Sequence, residues 1–547
     1  MGGSLSYKKR KGYTFLLLGL STCTSLWSLM NEGEMSVPAM GAETVVTSID
    51  TQQFQGIGPS DLREFLDRIE RAGELKRITA EVDPIEEMSA IVYLAARENG
   101  APAFLFERVK GYDIPVLWNM WGSSVNRLAA AMGVPMGLTH REMVLAVRNR
   151  LGRKIAPVIS DSKNPPVFAN TLTGDDIDVF RFPAPKHWPL DGGRYIGTCD
   201  AVITRDPERG HLNVGTYRMM IHDRNHVALY MSPGKDARLH MERWWAQGKP
   251  CEVIAIWGVD PATFLLSGIA LPKTESELDY IGGIKGKAVE LLNGKFTSLQ
   301  FPAGSEIVME GIAYPNDVRK EGPFGEFTGY YARPTDPSPQ IEIKAIHHRN
   351  NPILTAALMS DYWPSNDSAL QFAVIRAARV WNDLDRLGIP GIKGVYAHPA
   401  AAGGFGMMIV SLEQRYPGHA QQVLAIAAQC PGGAYFTKWI IAVDDDIDPT
   451  DINEVLWAMA TRSNPVDSIE ILKNTWSTGL DPAQNPPEKR PYSSKALINA
   501  CMEHRHLKVF SKRARLRKET YDRVLRRWRE LGFAGEAPKI FTFEKDV

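Results

Sequence analysis

The chain has 547 residues, 44% hydrophobic and 23% charged, the usual make-up of a globular protein of two or three domains. Lys+Arg and Asp+Glu are equal at 63 each, so no global field draws the chain to nucleic acid or to an anionic membrane. Cys23, Cys199, Cys251, Cys430 and Cys501 are scattered with no CxxC pair, which argues against a zinc cage or a disulfide framework and suits a reducing compartment.

Residues 1–56 read as a leader. Lys8-Lys9-Arg10-Lys11 precedes an apolar run over 13–29, and small residues follow at Pro38, Ala39, Gly41 and Ala42. Basic, apolar and then small is the layout of a secretory signal. The run is short and interrupted by Ser and Thr for a membrane span. The reading preferred is a disordered leader or a start placed too far upstream, with Met35 or Met40 as the true first residue and a cytoplasmic protein. A real signal would make the protein exported or membrane-tethered.

An N-terminal α/β unit is expected over 57–165. Ser60 is the expected cap of a helix whose Leu62, Phe65, Leu66 and Ile69 repeat at helical spacing, with Gly73 at its end. An extended segment over 78–82, a helix over 85–98 and strands at 103–106 and 114–118 follow. From 166 to 348 short β-rich runs (201–205, 214–221, 227–231, 251–257, 305–312, 340–347) alternate with Gly, Pro and Asp clusters, which favours a barrel or sandwich-like sheet. A C-terminal α/β domain over 349–508 has helical patterns at 368–387 and 421–428. Its strand at 439–443 runs into Asp444-Asp445-Asp446, with a helix over 451–461. A basic helical tail, 511–531 within 509–547, ends the chain.

Three stretches can carry chemistry. Asn213-Val214-Gly215-Thr216-Tyr217-Arg218 falls on a predicted strand; glycine there marks close approach of a ligand, and an arginine among apolar residues needs a carboxylate partner. Glu321-Gly322-Pro323-Phe324-Gly325-Glu326 reads as a tight turn that can face two carboxylates into one pocket, the alternative being a surface turn with two solvated glutamates. Near an arginine, one carboxylate stays ionised while the other can donate a proton. Glu275, Glu277 and Asp279 form an alternating acidic run in which Glu277 is a metal-ligand candidate. For Asp444–Asp446 the preferred reading is helix capping and loop solvation rather than a metal site.

Together these residues resemble the UbiD family. Asn213…Arg218, Ser276-Glu277-Leu278-Asp279-Tyr280, Glu321…Glu326 with Gly329-Tyr330, and Asp444…Asp448 with Trp457…Arg462 occur in that family's order and approximate spacing. The early helix with Gly73-Glu74-Leu75-Lys76-Arg77 and the late Ser493…Asn499 are also similar to it. The resemblance covers about residues 58–508. It implies an α/β (α+β) architecture: an N-terminal α/β unit, a central split β-barrel holding a flavin, and a C-terminal α/β domain that helps dimerisation.

The resemblance also implies reversible, non-oxidative decarboxylation of an aromatic or α,β-unsaturated carboxylic acid through an adduct with prenylated FMN. That cofactor comes from a separate flavin prenyltransferase. Mn2+ (or Mg2+) and K+ clamp the flavin phosphate. Asn213 and Glu277 match protein ligands of the divalent ion, and Gly215, Thr216, Lys235 and Ile269 match positions that line the flavin. Arg218, Glu321 and Glu326 match the catalytic Glu–Arg–Glu network: Arg218 holds the carboxylate, Glu321 tunes Arg218, and Glu326 protonates the product.

One position departs from the family pattern. The third metal ligand is usually histidine, 16 or 18 residues after the catalytic arginine; here those positions are Gly234 and Asp236. Asp236 supplies an oxygen instead and makes a harder site. His240, His222 and His226 are the alternatives. Arg218 lies five positions after Asn213, roughly 16 Å if extended, and strict alternation would put them on opposite faces, so a bulge or bend is expected between them. The loops 359–363 and 400–405 are expected to shape the substrate pocket. Two rival functions are a flavin oxidoreductase on a split barrel and an inactive paralogue acting as a subunit.

Overall fold

The computed structural model describes residues 54–484, 492–538, 540 and 543; the expected leader lies outside them except for its last three residues. The first helix, Leu62–Arg71, buries Leu62, Phe65, Leu66 and Ile69 as its spacing predicts. Its cap is Asp61, not Ser60: the Asp61 carboxylate accepts from the Glu64 N–H at 2.9 Å, and Glu64 accepts from the Ser60 N–H at 2.7 Å. Aspartate caps as well as serine does, and here the reciprocal bonds fall one residue later. Gly73, with φ +74°, carries the chain out of the helix end.

Leu75–Val82, Ala103–Val109 and Val116–Trp118 form the N-terminal sheet, packed by the helix Glu87–Ala95. Its fourth strand, Leu354–Thr355, comes from the segment assigned on sequence to the C-terminal domain and pairs in parallel with Val116–Trp118.

The central sheet has ten strands, and every pairing in it is antiparallel. Its path begins at Tyr195–Gly197, runs through Met219–Asp223, His226–Leu229, Asp336–His348, Ile307–Ala313, Cys251–Ile256 and Ala201–Arg205, and ends at Leu212–Gly215. No pairing among the described residues closes the two ends. Yet Leu212–Gly215 at one end continues into Met219–Asp223 near the other through residues 216–218 alone. That stretch spans at most roughly 14 Å. Residues 198–200 make a second short crossing between the ends. The sheet therefore curls until its edges face each other across a gap, which is what a split barrel means in hydrogen-bonding terms.

The predicted single strand over 214–221 is thus two strands, interrupted where Arg218 sits. The expected bend takes the form of a chain crossing the split. The Thr216 hydroxyl donates to Asp200 at 2.9 Å and the Tyr217 N–H to the same oxygen at 3.3 Å, so the two crossings are tied together.

The C-terminal unit packs helices Ala369–Arg386 and His419–Gln429 on a mixed sheet ordered Ile392–Ala397, Met407–Leu412, Trp439–Asp444, Tyr492–Ala500, Ile469–Trp476. Helix Ile452–Arg462 follows the acidic run, with Asp451 as its cap. Two residues of the acidic run, Asp444 and Asp446, are engaged by arginine rather than left to solvent. Asp444 and Asp446 meet the guanidinium of Arg462 at 2.9 and 2.7 Å, and Asp446 also pairs with Arg515 from the tail. Of the expected tail helix only Lys518–Arg526 forms; residues 511–517 form neither helix nor strand and bring Arg513 and Arg515 to Asp446. Among the described residues no helix is long and apolar enough to cross a membrane.

Candidate active site

Arg218 sits in the crossing between the barrel edges, at the wall of a cavity of about 230 Å³. Its guanidinium forks onto Glu321, with Nε donating to Oε1 at 2.8 Å and Nη2 to Oε2 at 2.9 Å. The remaining Nη1 donates to Glu326. All three side chains are buried, Glu321 completely. The turn between the two glutamates holds because its glycines leave room: a Cβ on Gly325 would lie 2.3 Å from the Trp188 ring, and the Gly325 N–H donates to Asp191 at 2.9 Å. The strand Val318–Glu321 delivers the first carboxylate and the turn returns the second to the same guanidinium.

Sequence reasoning missed the groups that hold this chain. Arg333 Nη1 donates to Glu321 Oε2 at 2.8 Å, and the Tyr195 hydroxyl donates to Glu321 Oε1 at 2.9 Å. The Tyr230 ring lies against both guanidiniums, 4.3 Å from Arg218 and 4.2 Å from Arg333. Burial pushes the Glu321 carboxyl up, but Arg218, Tyr195 and Arg333 more than offset it and hold the group below the usual carboxylate range. Burial likewise disfavours a charged Arg218, and Glu321 reverses that and raises it. Glu321 thus remains an anion with every lone pair committed. Glu326, with one bond to the guanidinium, reaches the cavity.

Asn213 and Glu277 come together from distant segments: Asn213 Nδ2 donates to Glu277 Oε1 at 3.2 Å and the Val214 N–H to Glu277 Oε2 at 2.7 Å. Glu277 opens the helix Glu277–Lys285 under the Ser276 cap. Burial pushes its carboxyl up to about 8, against the pull of the Val214 N–H, and nearby Asp236 adds to the rise. A cation would return such a group to its charged form. Asp236, first residue of the helix Asp236–Ala246, lines the same cavity as Asn213 but forms a 2.7 Å ion pair with Lys273.

The alternative histidines turn elsewhere. His222 lies between the Gln340 side chain and the Lys320 carbonyl, both at 3.0 Å, and His226 meets Asp223 at 2.8 Å. His240 Nδ1 meets Thr204 Oγ1 at 3.0 Å, with Nε2 turned to Asp206. An amide oxygen and two carboxylates are the donor set of a hard divalent ion, so these residues fit Mn2+ or Mg2+. Of the acidic run, Glu275 is spent on Lys154 at 2.9 Å and on the Tyr280 hydroxyl.

Gly215, Thr216, Lys235 and Ile269 all line the cavity with Asn213 and Glu326. A Cβ on Gly215 would meet the Tyr217 ring at 2.3 Å, so only glycine passes there. The Lys235 ammonium lies 4.2 Å from the Tyr435 ring, and burial pushes it down to about 8, so an anion in the cavity would strengthen its hold on the proton. Asp200, unforeseen from sequence, orients Thr216; burial raises it to about 7 and its second oxygen has no partner among the described residues. From the expected pocket loops, Met359 and Phe405 reach the cavity. Asn213, Lys235 and Asp236 give the cavity a polar wall that Arg218 and Glu326 extend, which suits a ligand with an anionic group.

Comparison with known proteins agrees with this arrangement. Family models of the 3-octaprenyl-4-hydroxybenzoate carboxy-lyase N-terminal domain, Rift-related domain and C-terminal domain match residues 66–147, 158–361 and 370–500. Vanillic acid decarboxylase of Sedimentibacter hydroxybenzoicus, in its closed form, superposes with a TM-score of 0.78 at 28% identity, over 86% of this chain and 99% of that one. The UbiD-class enzyme HmfF of Pelotomaculum thermopropionicum, solved with prFMN, gives 0.72 at 28% identity, over 83% and 97%. The 3,4-dihydroxybenzoic acid decarboxylase of Enterobacter cloacae shares the fold at a TM-score of 0.72 and 24% identity, over 87% and 100%. With all three of its domains matched in order, and the buried Glu–Arg–Glu chain at the split of its barrel, the chain belongs to the UbiD family of carboxy-lyases.

Proposed function

We propose that this protein carries out the reversible, non-oxidative decarboxylation of an aromatic or α,β-unsaturated carboxylic acid with prenylated FMN as cofactor. The observation that carries this reading is the buried Glu321–Arg218–Glu326 chain, which reaches the cavity that Asn213, Thr216 and Lys235 also line. Asn213, Glu277 and Asp236 would hold Mn2+ or Mg2+, which with K+ secures the flavin phosphate. Gly215, Thr216, Lys235 and Ile269 would border the flavin. Bound there, prenylated FMN supplies the electron sink for breaking the carbon–carbon bond.

The chain's own residues do the rest. Arg218 offers its charge to the substrate carboxylate, oriented by Glu321 and by the Tyr230 ring. Glu326 delivers a proton to the carbon that loses CO2 and recovers one from solvent, so that the carboxylate plus one proton gives CO2 and the product with a new C–H bond. Glu321 is the anion that fixes the Arg218 guanidinium in place and keeps it charged against burial. The protein is proposed to work in the cytoplasm as a homodimer or higher homo-oligomer, supplied with cofactor by a flavin prenyltransferase.

Production without a flavin prenyltransferase is expected to give folded, inactive protein, and co-production is expected to give CO2 release from members of a panel of aromatic and acrylic acids. Equal activity with unmodified FMN would overturn the cofactor assignment.

The metal reading is tested at Asp236. Asp236→Asn is expected to weaken metal and flavin retention together, and Asp236→His to restore both, while His240→Ala leaves the Mn2+ and flavin in place. Metal analysis and flavin absorbance of the purified variants check this. Loss of both from His240→Ala, with Asp236→Asn unaffected, would transfer the ligand role to His240.

A further inference from the structure

We propose that Asp206, His211 and His240 form a second metal site, for a zinc-type divalent ion, that braces the hairpin and the helix carrying Asn213 and Asp236. One ligand atom from each of the three residues lies within 4.8 Å of the others. Asp206 and His211 flank the turn between Ala201–Arg205 and Leu212–Gly215, and His240 sits one helical turn beyond Asp236.

Each donor is prepared. The 3.0 Å contact between His240 Nδ1 and the Thr204 hydroxyl fixes that ring, with Nδ1 the protonated nitrogen if it donates, and leaves Nε2 as a lone pair 3.8 Å from Asp206 Oδ2. This is the outer-shell bond that metal-ligating histidines make. Burial pushes His240 down to about 4, so the ring is neutral near pH 7. Burial opposes ionisation of Asp206, but the Glu208 and Arg209 N–H groups donate to its Oδ1 at 2.8 and 3.3 Å and hold it below the usual carboxylate range. His211 Nδ1 is buried with no hydrogen-bond partner among the described residues.

A plain ion pair explains part of this cluster, since Arg243 donates to Asp206 Oδ2 at 2.6 Å. It leaves the His211 nitrogen unexplained, because a buried ring nitrogen without a partner is costly. Arg243 also has a second anion within reach, Glu208 at 3.8 Å, to which its half-exposed guanidinium can move when an ion arrives. Two imidazoles and one carboxylate, with water completing the shell, suit Zn2+ or Co2+. The oxygen donors of the proposed Mn2+ site do not, so the two sites sort different metals. Only the bracing role rests on the proposed function; the ion site does not.

The test is titration of the flavin- and Mn2+-loaded protein with Zn2+, followed by metal analysis, and with Co2+, followed by visible absorbance. One Zn2+ per chain beyond the Mn2+ is expected, with d–d bands of a four- or five-coordinate Co2+ ion. His211→Ala and His240→Ala should each weaken Zn2+ binding by more than the roughly 10–100-fold that an outer-shell change costs. Zn2+ should raise the Tm of the wild type and not that of His211→Ala, which separates ligand loss from misfolding. Glu277→Gln should lose Mn2+ and keep Zn2+. The proposal is overturned if the wild type takes up no second ion, if both histidine variants bind Zn2+ like the wild type, or if Glu277→Gln loses both metals.

Discussion

Glu326→Gln is expected to retain flavin and metal but to lose turnover by on the order of 10²-fold or more, the contribution of a well-placed general acid. The amide keeps the volume and still accepts from Arg218 Nη1, so the buried chain stays packed. What it lacks is a transferable proton. Glu321 cannot take over, because both of its oxygens are engaged by Arg218, Arg333 and Tyr195 and its carboxyl is held below the ordinary range. Steady-state rates beside flavin absorbance of the same preparations check this. Near wild-type turnover in the variant would remove Glu326 from the proton path.

Arg218→Ala is expected to abolish activity and to lower stability by about 3–5 kcal/mol, the cost of leaving buried carboxylates without their cation. Glu321 is fully buried and Glu326 nearly so, and Arg333 still contacts Glu321 alone. The loss should depend on pH with a definite sign. Because the folded-state pKa of Glu321 is lowered, its contribution is fully present above the unfolded carboxylate range and is lost as pH falls through the folded value. The wild type and the variant should therefore approach each other in acid. Chemical denaturation at neutral and acid pH measures both effects. Equal stability at neutral pH would show that Arg218 is not part of a buried network.

The elements and the candidate site residues were readable for a common reason. Helix spacing at Leu62, Phe65, Leu66 and Ile69, and the compact Glu321…Glu326 turn, are local patterns that the fold keeps. The split was not readable in the run over 214–221, because residues 216–218 at the crossing include β-favouring Thr and Tyr, and only pairing partners reveal that one strand has become two. Arg333 and Tyr195 were missed because neither has a neighbouring motif; each reaches Glu321 only through the tertiary fold. The aspartates at 444 and 446 looked solvated because their partners, Arg462 and Arg515, lie 18 and 69 residues away in sequence. Asp236, standing where histidine was expected, lines the cavity while paired with Lys273.

The central claim is a carbon–carbon bond cleavage without net oxidation, and product analysis in D2O addresses it most directly. The cofactor-loaded protein is incubated with the aromatic and acrylic acid panel, and CO2 and product are quantified together. The expected result is CO2 and product in equal amounts, with one deuterium on the carbon that carried the carboxylate and no net change in flavin redox state. An oxidised product, or consumption of acid with flavin reduction and no CO2, would contradict the carboxy-lyase assignment and favour an oxidoreductase built on the same split barrel.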